Sequence, residues 1–215
     1  MSTRSVLKQL TEVLATVHKG HILELRLNTP KNLNAFGGTK YLVRELIEGF
    51  NYARDNDDIK AVVVTANGRF FSAGAALTGD RMVADENVKK GIHPSLVTFP
   101  PLFGSSITSR LLYMAETIPI AELSHTGLFA EVLPQAGLPE KVIKKVEDSL
   151  ADLSIGSIVA SKSMLRTPQI RDELHRVNAV EMDVVDKRRQ TDDHRDTIVR
   201  FQQKRAAAKS SKAKL

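Results

Sequence analysis

Gly68-Arg69-Phe70-Phe71-Ser72-Ala73-Gly74-Ala75-Ala76-Leu77 is the stretch on which the fold turns. From Ser72 to Ala76 its side chains are too small to shield their own backbone. Exposed N–H groups at such a place can donate to an oxygen that gains negative charge, the requirement of an oxyanion hole. A tight, close-packed bend uses the same residues, and spacing alone leaves both readings open. Immediately upstream, Asn67-Gly68 is turn chemistry. Ala61-Val62-Val63-Val64 is a short continuous apolar run, as expected of a strand covered on both faces. Further upstream, Asp55-Asn56-Asp57-Asp58 ends a helix predicted over 39–54. Leu42, Leu46, Phe50 and Ala53 form its apolar stripe, with Arg44, Glu45 and Glu48 facing water. Before it, Asn28-Thr29-Pro30-Lys31-Asn32 is a turn. Ile22-Leu23-Glu24-Leu25-Arg26-Leu27 alternates with period two and reads as a half-buried strand, with Glu24 and Arg26 outward.

Downstream the pattern changes. Residues 83–101 are interrupted by Pro94, Pro100 and Pro101 and offer no core strand. From Leu138 the chain is helical again, with Pro139 suited to a first turn and Val142, Val146, Leu150 and Leu153 as the apolar stripe. A short helix is expected over 158–165. A long one is expected over 169–203, buried through Ile170, Leu174, Val177 and Val184. Residues 206–214 are low in complexity and expected to be disordered.

Composition excludes several classes. Among 215 residues there is no Cys, which removes a disulfide framework and a thiolate zinc site. There is no Trp, and aromatic content is 5%, too little for base-stacking platforms. No apolar run is long enough to span a membrane. The net charge of +6 is carried entirely by six Lys and Arg after residue 199, so the rest is formally neutral and a nucleic-acid face is not expected.

Three pieces together resemble the crotonase superfamily, which includes the enoyl-CoA hydratases and enoyl-CoA isomerases. They are Asn32-Leu33-Asn34-Ala35-Phe36, then Ile59-Lys60-Ala61-Val62-Val63-Val64-Thr65, then the opening stretch through Leu77. The likeness is strong over 20–80. It resumes at Phe103-Gly104-Ser105-Ser106 and again from Ile118 to Pro134. The resemblance implies an α/β fold. Residues 1–137 would be a ββα spiral core, 138–205 a helical trimerisation region, and 206–215 a flexible basic tail. It implies an acyl-CoA thioester as substrate, no metal and no separate cofactor, and a homo-oligomer (a trimer or dimer of trimers). The family's oxyanion N–H maps onto Ala75. Ala35, Ala73, Gly74, Ala76 and Leu77 would line the CoA path, and Lys31 would meet a CoA phosphate or be a solvated turn lysine.

The sequence departs from the family pattern in three places. Ala76 stands where the family carries an acid. The glycine-rich segment that supplies a second oxyanion N–H has no counterpart between Arg81 and Pro101, where Gly91 is isolated, as is Gly104 beyond. Leu102 and Phe103 occupy the place of the catalytic Glu in isomerase-like members, and a hydrocarbon cannot shuttle a proton. An internal deletion of about one ββα turn accounts for the last two. Asp80, Glu116 and Glu122 remain as carboxylates that could approach the site, and His93 and His125 lie near the altered segment without metal-pair spacing. The expected function is enoyl-CoA hydratase (lyase) or enoyl-CoA delta isomerase chemistry. It would serve peroxisomal fatty-acid oxidation or an acyl-CoA-dependent secondary-metabolite pathway such as toxin synthesis. The alternative is an impaired member that binds acyl-CoA or assembles with an active relative. Ala213-Lys214-Leu215 is a conservative variant of the Ser-Lys-Leu signal read by the peroxisomal import receptor, so the expected location is the peroxisome.

Overall fold

The computed structural model describes residues 7–76 and 95–212. The strands are β1 (Val13–His18), β2 (Ile22–Leu27) and β3 (Ala61–Ala66). The helices are α1 (Leu42–Arg54), α2 (Ser95–Tyr113), α3 (Ile120–Leu123), α4 (Leu138–Asp152), α5 (Ile155–Leu165), α6 (Pro168–Arg189) and α7 (Asp192–Lys212). The chain divides into two compact units, residues 1–91 with 118–168, and residues 92–117 with 169–215.

The first unit is built on a three-stranded sheet in the order β1-β2-β3. β1 and β2 are antiparallel, with Val13 opposite Leu27 and His18 opposite Ile22. Lys19 and Gly20 between them both have positive φ, and the His21 N–H closes on the His18 carbonyl, which is the turn geometry that suits strand twist. β3 returns parallel to β2 through α1, with Ile22 opposite Ala61 and Leu27 opposite Ala66. Among the described residues no strand pairs with the outer edge of β3.

Leu23, Leu25 and Leu27 of β2 and Val13 of β1 project from one face of the sheet and are fully buried with Leu42 of α1. Each such side chain contributes about 1.5–3 kcal/mol relative to exposure. α1 lies close because Gly49 faces Leu25, where a Cβ would stand 2.6 Å from Leu25 Cδ2. Leu42, Leu46 and Ala53 of the expected stripe pack on this core, and the buried side extends to Glu45 and Gly49. Leu42, Glu45 and Gly49 are buried, while Phe50 is exposed.

Glu45, expected in water, is therefore enclosed, and the reason is hydrogen bonding. Its Oε2 accepts the N–H groups of Thr11, Glu12 and Val13 at 2.7–2.9 Å, and its Oε1 accepts the Thr11 hydroxyl. Those amides open β1, and one carboxylate satisfies them.

β2 is likewise not half-buried. α4 covers its second face, where Ile143 packs with Ile22 and Val63 and is joined by Val142, Val146 and Leu150. Glu24 on that face is only 2% exposed. Its Oε1 accepts from the Thr65 hydroxyl at 2.7 Å and from the Arg26 guanidinium at 2.8 and 3.0 Å, and its Oε2 lies 3.0 Å from His18 Nε2. α4 thus belongs with the sheet, and Leu153 just beyond it is exposed rather than part of the stripe. α5 buries none of its residues, and Val159, Met164 and Leu165 stand open.

In the second unit, α2 contains Pro100 and Pro101 and is broken at Gly104, whose φ of 76° and ψ of 164° are not helical. Phe99 and Phe103 pack edge to face across the turn before the break. The long C-terminal helix expected over 169–203 is two helices, separated at Gln190 and Thr191. The Thr191 hydroxyl accepts the His194 N–H at 3.4 Å, and Arg188 pairs with Asp193 across the joint. Val177, Glu181 and Met182 are the buried residues of α6, whereas Ile170 and Val184 are exposed. α7 runs to Lys212, so most of the stretch expected to be disordered is helical, as the Ala206-Ala207-Ala208 run favours.

Candidate active site

Two loops of the first unit meet at the predicted stretch. Residues 28–36 leave β2, pass through a single 3-10 turn at Pro30–Asn32, and carry Leu33 and Asn34 in left-handed conformations with φ of 55° and 50°. Residues 67–76 leave β3. The join is a short parallel bridge between Phe36 and Ala75.

Asn34 holds the two loops together. It is fully buried. Its Oδ1 accepts the Thr29 N–H at 2.8 Å and the Thr29 hydroxyl at 3.3 Å, while its Nδ2 donates to the carbonyls of Asn67 at 2.9 Å and Phe70 at 3.1 Å. Every hydrogen of the carboxamide is used, which fixes its orientation. Asn67 also donates through Nδ2 to Asn28 Oδ1 at 2.9 Å.

The amides from 73 to 76 can then be accounted for one by one. Ala73 N–H donates to the Leu33 carbonyl at 2.9 Å, and Gly74 N–H donates to Ser72 Oγ at 3.1 Å. Ala76 N–H donates to the Phe36 carbonyl, and Phe36 N–H donates to the Gly74 carbonyl, both at 2.9 Å. Ala75 N–H has no partner among the described residues and lies on the side of its strand away from Phe36. Gly74 takes a φ of 79°, a turn that side-chain-bearing residues rarely make. Ala73, Gly74 and Ala75 are exposed.

Of the predicted residues, the structure therefore brings Ala35, Ala73, Gly74, Ala75 and Ala76 into one place. Ala35 and Ala76 both flank Gly38, where a Cβ would stand 3.0 Å from the Ala35 carbonyl and 3.7 Å from Ala76 Cβ. Lys31 is exposed in the 3-10 turn, its ammonium unpartnered among the described residues. Glu122 is half-buried in α3, and His125 is exposed in the turn after it. Glu116, in the second unit, is engaged by Arg110 at 2.7 Å. Leu77, Asp80, His93, Ala213, Lys214 and Leu215 lie outside the described residues. Among the described residues no three ligating side chains gather as a metal site, and no helix is long and apolar enough to cross a membrane. Asn34 had no assigned role in the sequence reading. Its signal is an amide side chain between Leu33 and Ala35-Phe36 in an otherwise small and apolar run.

The sequence profile of the enoyl-CoA hydratase/isomerase family matches in two segments, residues 18–92 and 80–211. A protein from Caenorhabditis elegans, B0272.4, is 25% identical over 79% of this chain and 88% of its own length. The mitochondrial Delta(3,5)-Delta(2,4)-dienoyl-CoA isomerase of Pongo abelii is 39% identical over 26% of this chain and 17% of its own. Among solved structures, an enoyl-CoA hydratase/isomerase from Pseudoalteromonas atlantica superposes with a TM-score of 0.74 at 18% identity, covering 90% of this chain and 98% of that one. Pseudomonas aeruginosa OdaA superposes with a TM-score of 0.75 at 16% identity, covering 89% and 99%. The fold is the crotonase fold, and with the profile spanning most of its length the chain belongs to the enoyl-CoA hydratase/isomerase family.

Proposed function

We propose that this protein binds acyl-CoA thioesters and polarises the thioester carbonyl through the Ala75 N–H, in enoyl-CoA hydratase or isomerase chemistry. The observation that carries this reading is the Ala75 amide, unpartnered among the described residues, beside the engaged amides of Ala73, Gly74 and Ala76. A main-chain donor aimed at the thioester oxygen stabilises the negative charge that develops as an enolate forms, and loss of one such donor costs about 3 kcal/mol of transition-state stabilisation. Such chemistry requires no metal and no cofactor beyond the CoA of the substrate. Ala35, Ala73, Gly74, Ala76 and Leu77 line the CoA path in this proposal, and Lys31 meets a phosphate.

The test is turnover of short and medium enoyl-CoAs by the purified protein, followed at the thioester absorbance. Ala75→Pro removes the N–H, and its kcat/KM is expected to fall by about 10²-fold. Undiminished activity in that variant would remove Ala75 from the role.

A second reading has its own support. The segment Pro100-Pro101-Leu102-Phe103, where a catalytic Glu is expected, is helical and carries no carboxylate. Acyl-CoA binding without turnover, or mixed oligomers with an active relative, would favour an impaired member over an enzyme. A homo-oligomer, trimeric or a dimer of trimers, is also proposed, supported by the uncovered apolar side chains of α5. Residence in the peroxisome is proposed on Ala213-Lys214-Leu215, and microscopy of the chain fused at its N-terminus to a fluorescent protein tests it. The proposed setting is fatty-acid oxidation or an acyl-CoA-dependent secondary-metabolite pathway.

A further inference from the structure

We infer that Asn34 and Ser72 are positioning residues that aim the Ala75 amide, through a hydrogen-bonded relay joining the two loops. This rests on the reading of Ala75 as the carbonyl-polarising donor and deepens it.

The relay runs from a buried anchor to the exposed amide. The Asn34 carboxamide clamps the carbonyls of Asn67 and Phe70, so the loop leaving β3 is tied at two points before it reaches Ser72. The Asn34 main-chain carbonyl then accepts the Ser72 hydroxyl at 2.7 Å. The same Ser72 oxygen accepts the Gly74 N–H at 3.1 Å. One residue thus supplies the anchor twice, by side chain and by backbone, and one hydroxyl passes it on to the peptide unit next to the free amide.

The Gly74 peptide matters because of its conformation. A left-handed φ of 79° at a residue without a side chain is permissive and not self-enforcing. The Ser72 hydroxyl on one side of Gly74 and the Phe36 N–H on its carbonyl hold that rotation, and the rotation sets where the next N–H points. Ala75 itself has no side chain that could hold its own amide. The aim is therefore set from outside the residue that uses it, and a hydrogen bond to a carbonyl weakens steeply with misalignment.

The experiment compares the wild type, Ser72→Ala and Ser72→Thr with a 2-enoyl-CoA labelled with carbon-13 at the thioester carbonyl. The readouts are its dissociation constant and the displacement of the bound carbonyl's vibrational frequency. The displacement reports polarisation whether or not turnover follows. Ser72→Ala is expected to bind within about twofold of the wild type but to lose about half or more of the displacement. Where turnover is measurable, kcat is expected to fall by about fivefold to tenfold with KM little changed. Ser72→Thr keeps the hydroxyl and is expected to restore most of the displacement. Asn34→Asp keeps the shape and replaces a two-hydrogen donor by an acceptor. It is expected to lose the displacement too, and circular dichroism separates that result from unfolding. A full displacement in Ser72→Ala, with a wild type that binds and polarises, overturns the relay and leaves the proposed function standing. A wild type that neither binds enoyl-CoA nor shifts its carbonyl overturns both.

Discussion

Glu24 shows how one residue can tie the stability of the sheet to pH. Burial pushes its carboxyl up. Hydrogen bonds from Thr65, Arg26 and His18, together with the Arg26 charge, outweigh burial and hold it below the ordinary carboxylate range. A folded-state value lower than the unfolded one means that stability is fully present above the unfolded value and is lost as pH falls through the folded one. Unfolding midpoints in urea are therefore expected to be flat above about pH 5 and to decline below it. Glu24→Gln should remove part of that slope while lowering the midpoint at neutral pH. Glu45 makes a different demand. Its carboxylate serves the amides of Thr11, Glu12 and Val13, so Glu45→Ala leaves them without an acceptor at a partly buried strand end. The expected loss is about 2–3 kcal/mol in a denaturant titration, with little change in Glu45→Gln at the one position that still accepts. Neither role is visible in sequence: Glu24 lies on the outward parity of an alternating strand between Leu23 and Leu25, and Glu45 follows Arg44 off the apolar stripe of α1, so both read as water-facing.

At the scale of the element, α1 and β2 are matched by a gap. Gly49→Ala places a methyl group 2.6 Å from Leu25 Cδ2, and Leu25 is fully buried, so either it or the helix must shift. The substitution raises helix propensity yet is expected to destabilise by about 1–3 kcal/mol, read as a lowered melting temperature. β2 and β3 were legible because period-two alternation and a short apolar run are direct consequences of strand geometry. β1 was not, since Leu14 puts an apolar side chain on the outward parity and blurs the alternation of Val13, Ala15 and Val17. α2 was hidden by Pro100 and Pro101, which cost the helix two N–H donors without ending it. The joint between α6 and α7 had a signal in Thr191-Asp192-Asp193, a helix start inside what reads as one long amphipathic run. The loop around Ala75 was legible as a small-residue stretch. The clamp that shapes it was not, because Asn34 acts through backbone carbonyls more than thirty positions away.

For the whole molecule, the fold is the crotonase fold. The sheet of the first unit is covered on both faces by elements distant in sequence, α1 on one and α4 on the other. The covering of β2 thus does not depend on the intervening segment. In the proposed chemistry Ala75 supplies one main-chain donor, and the proton-carrying group has no assigned residue among the described ones.

Among the described residues no strand covers the outer margin of β3, and this has a consequence for shelf life. Ala61-Val62-Val63-Val64-Thr65-Ala66 has no charge and no proline, the two devices by which proteins discourage chain-to-chain strand addition. Stored samples are therefore expected to form thioflavin-positive fibrils after a lag that shortens as concentration rises. A preparation that stays clear and monodisperse through weeks of agitation would show that some other surface guards that margin.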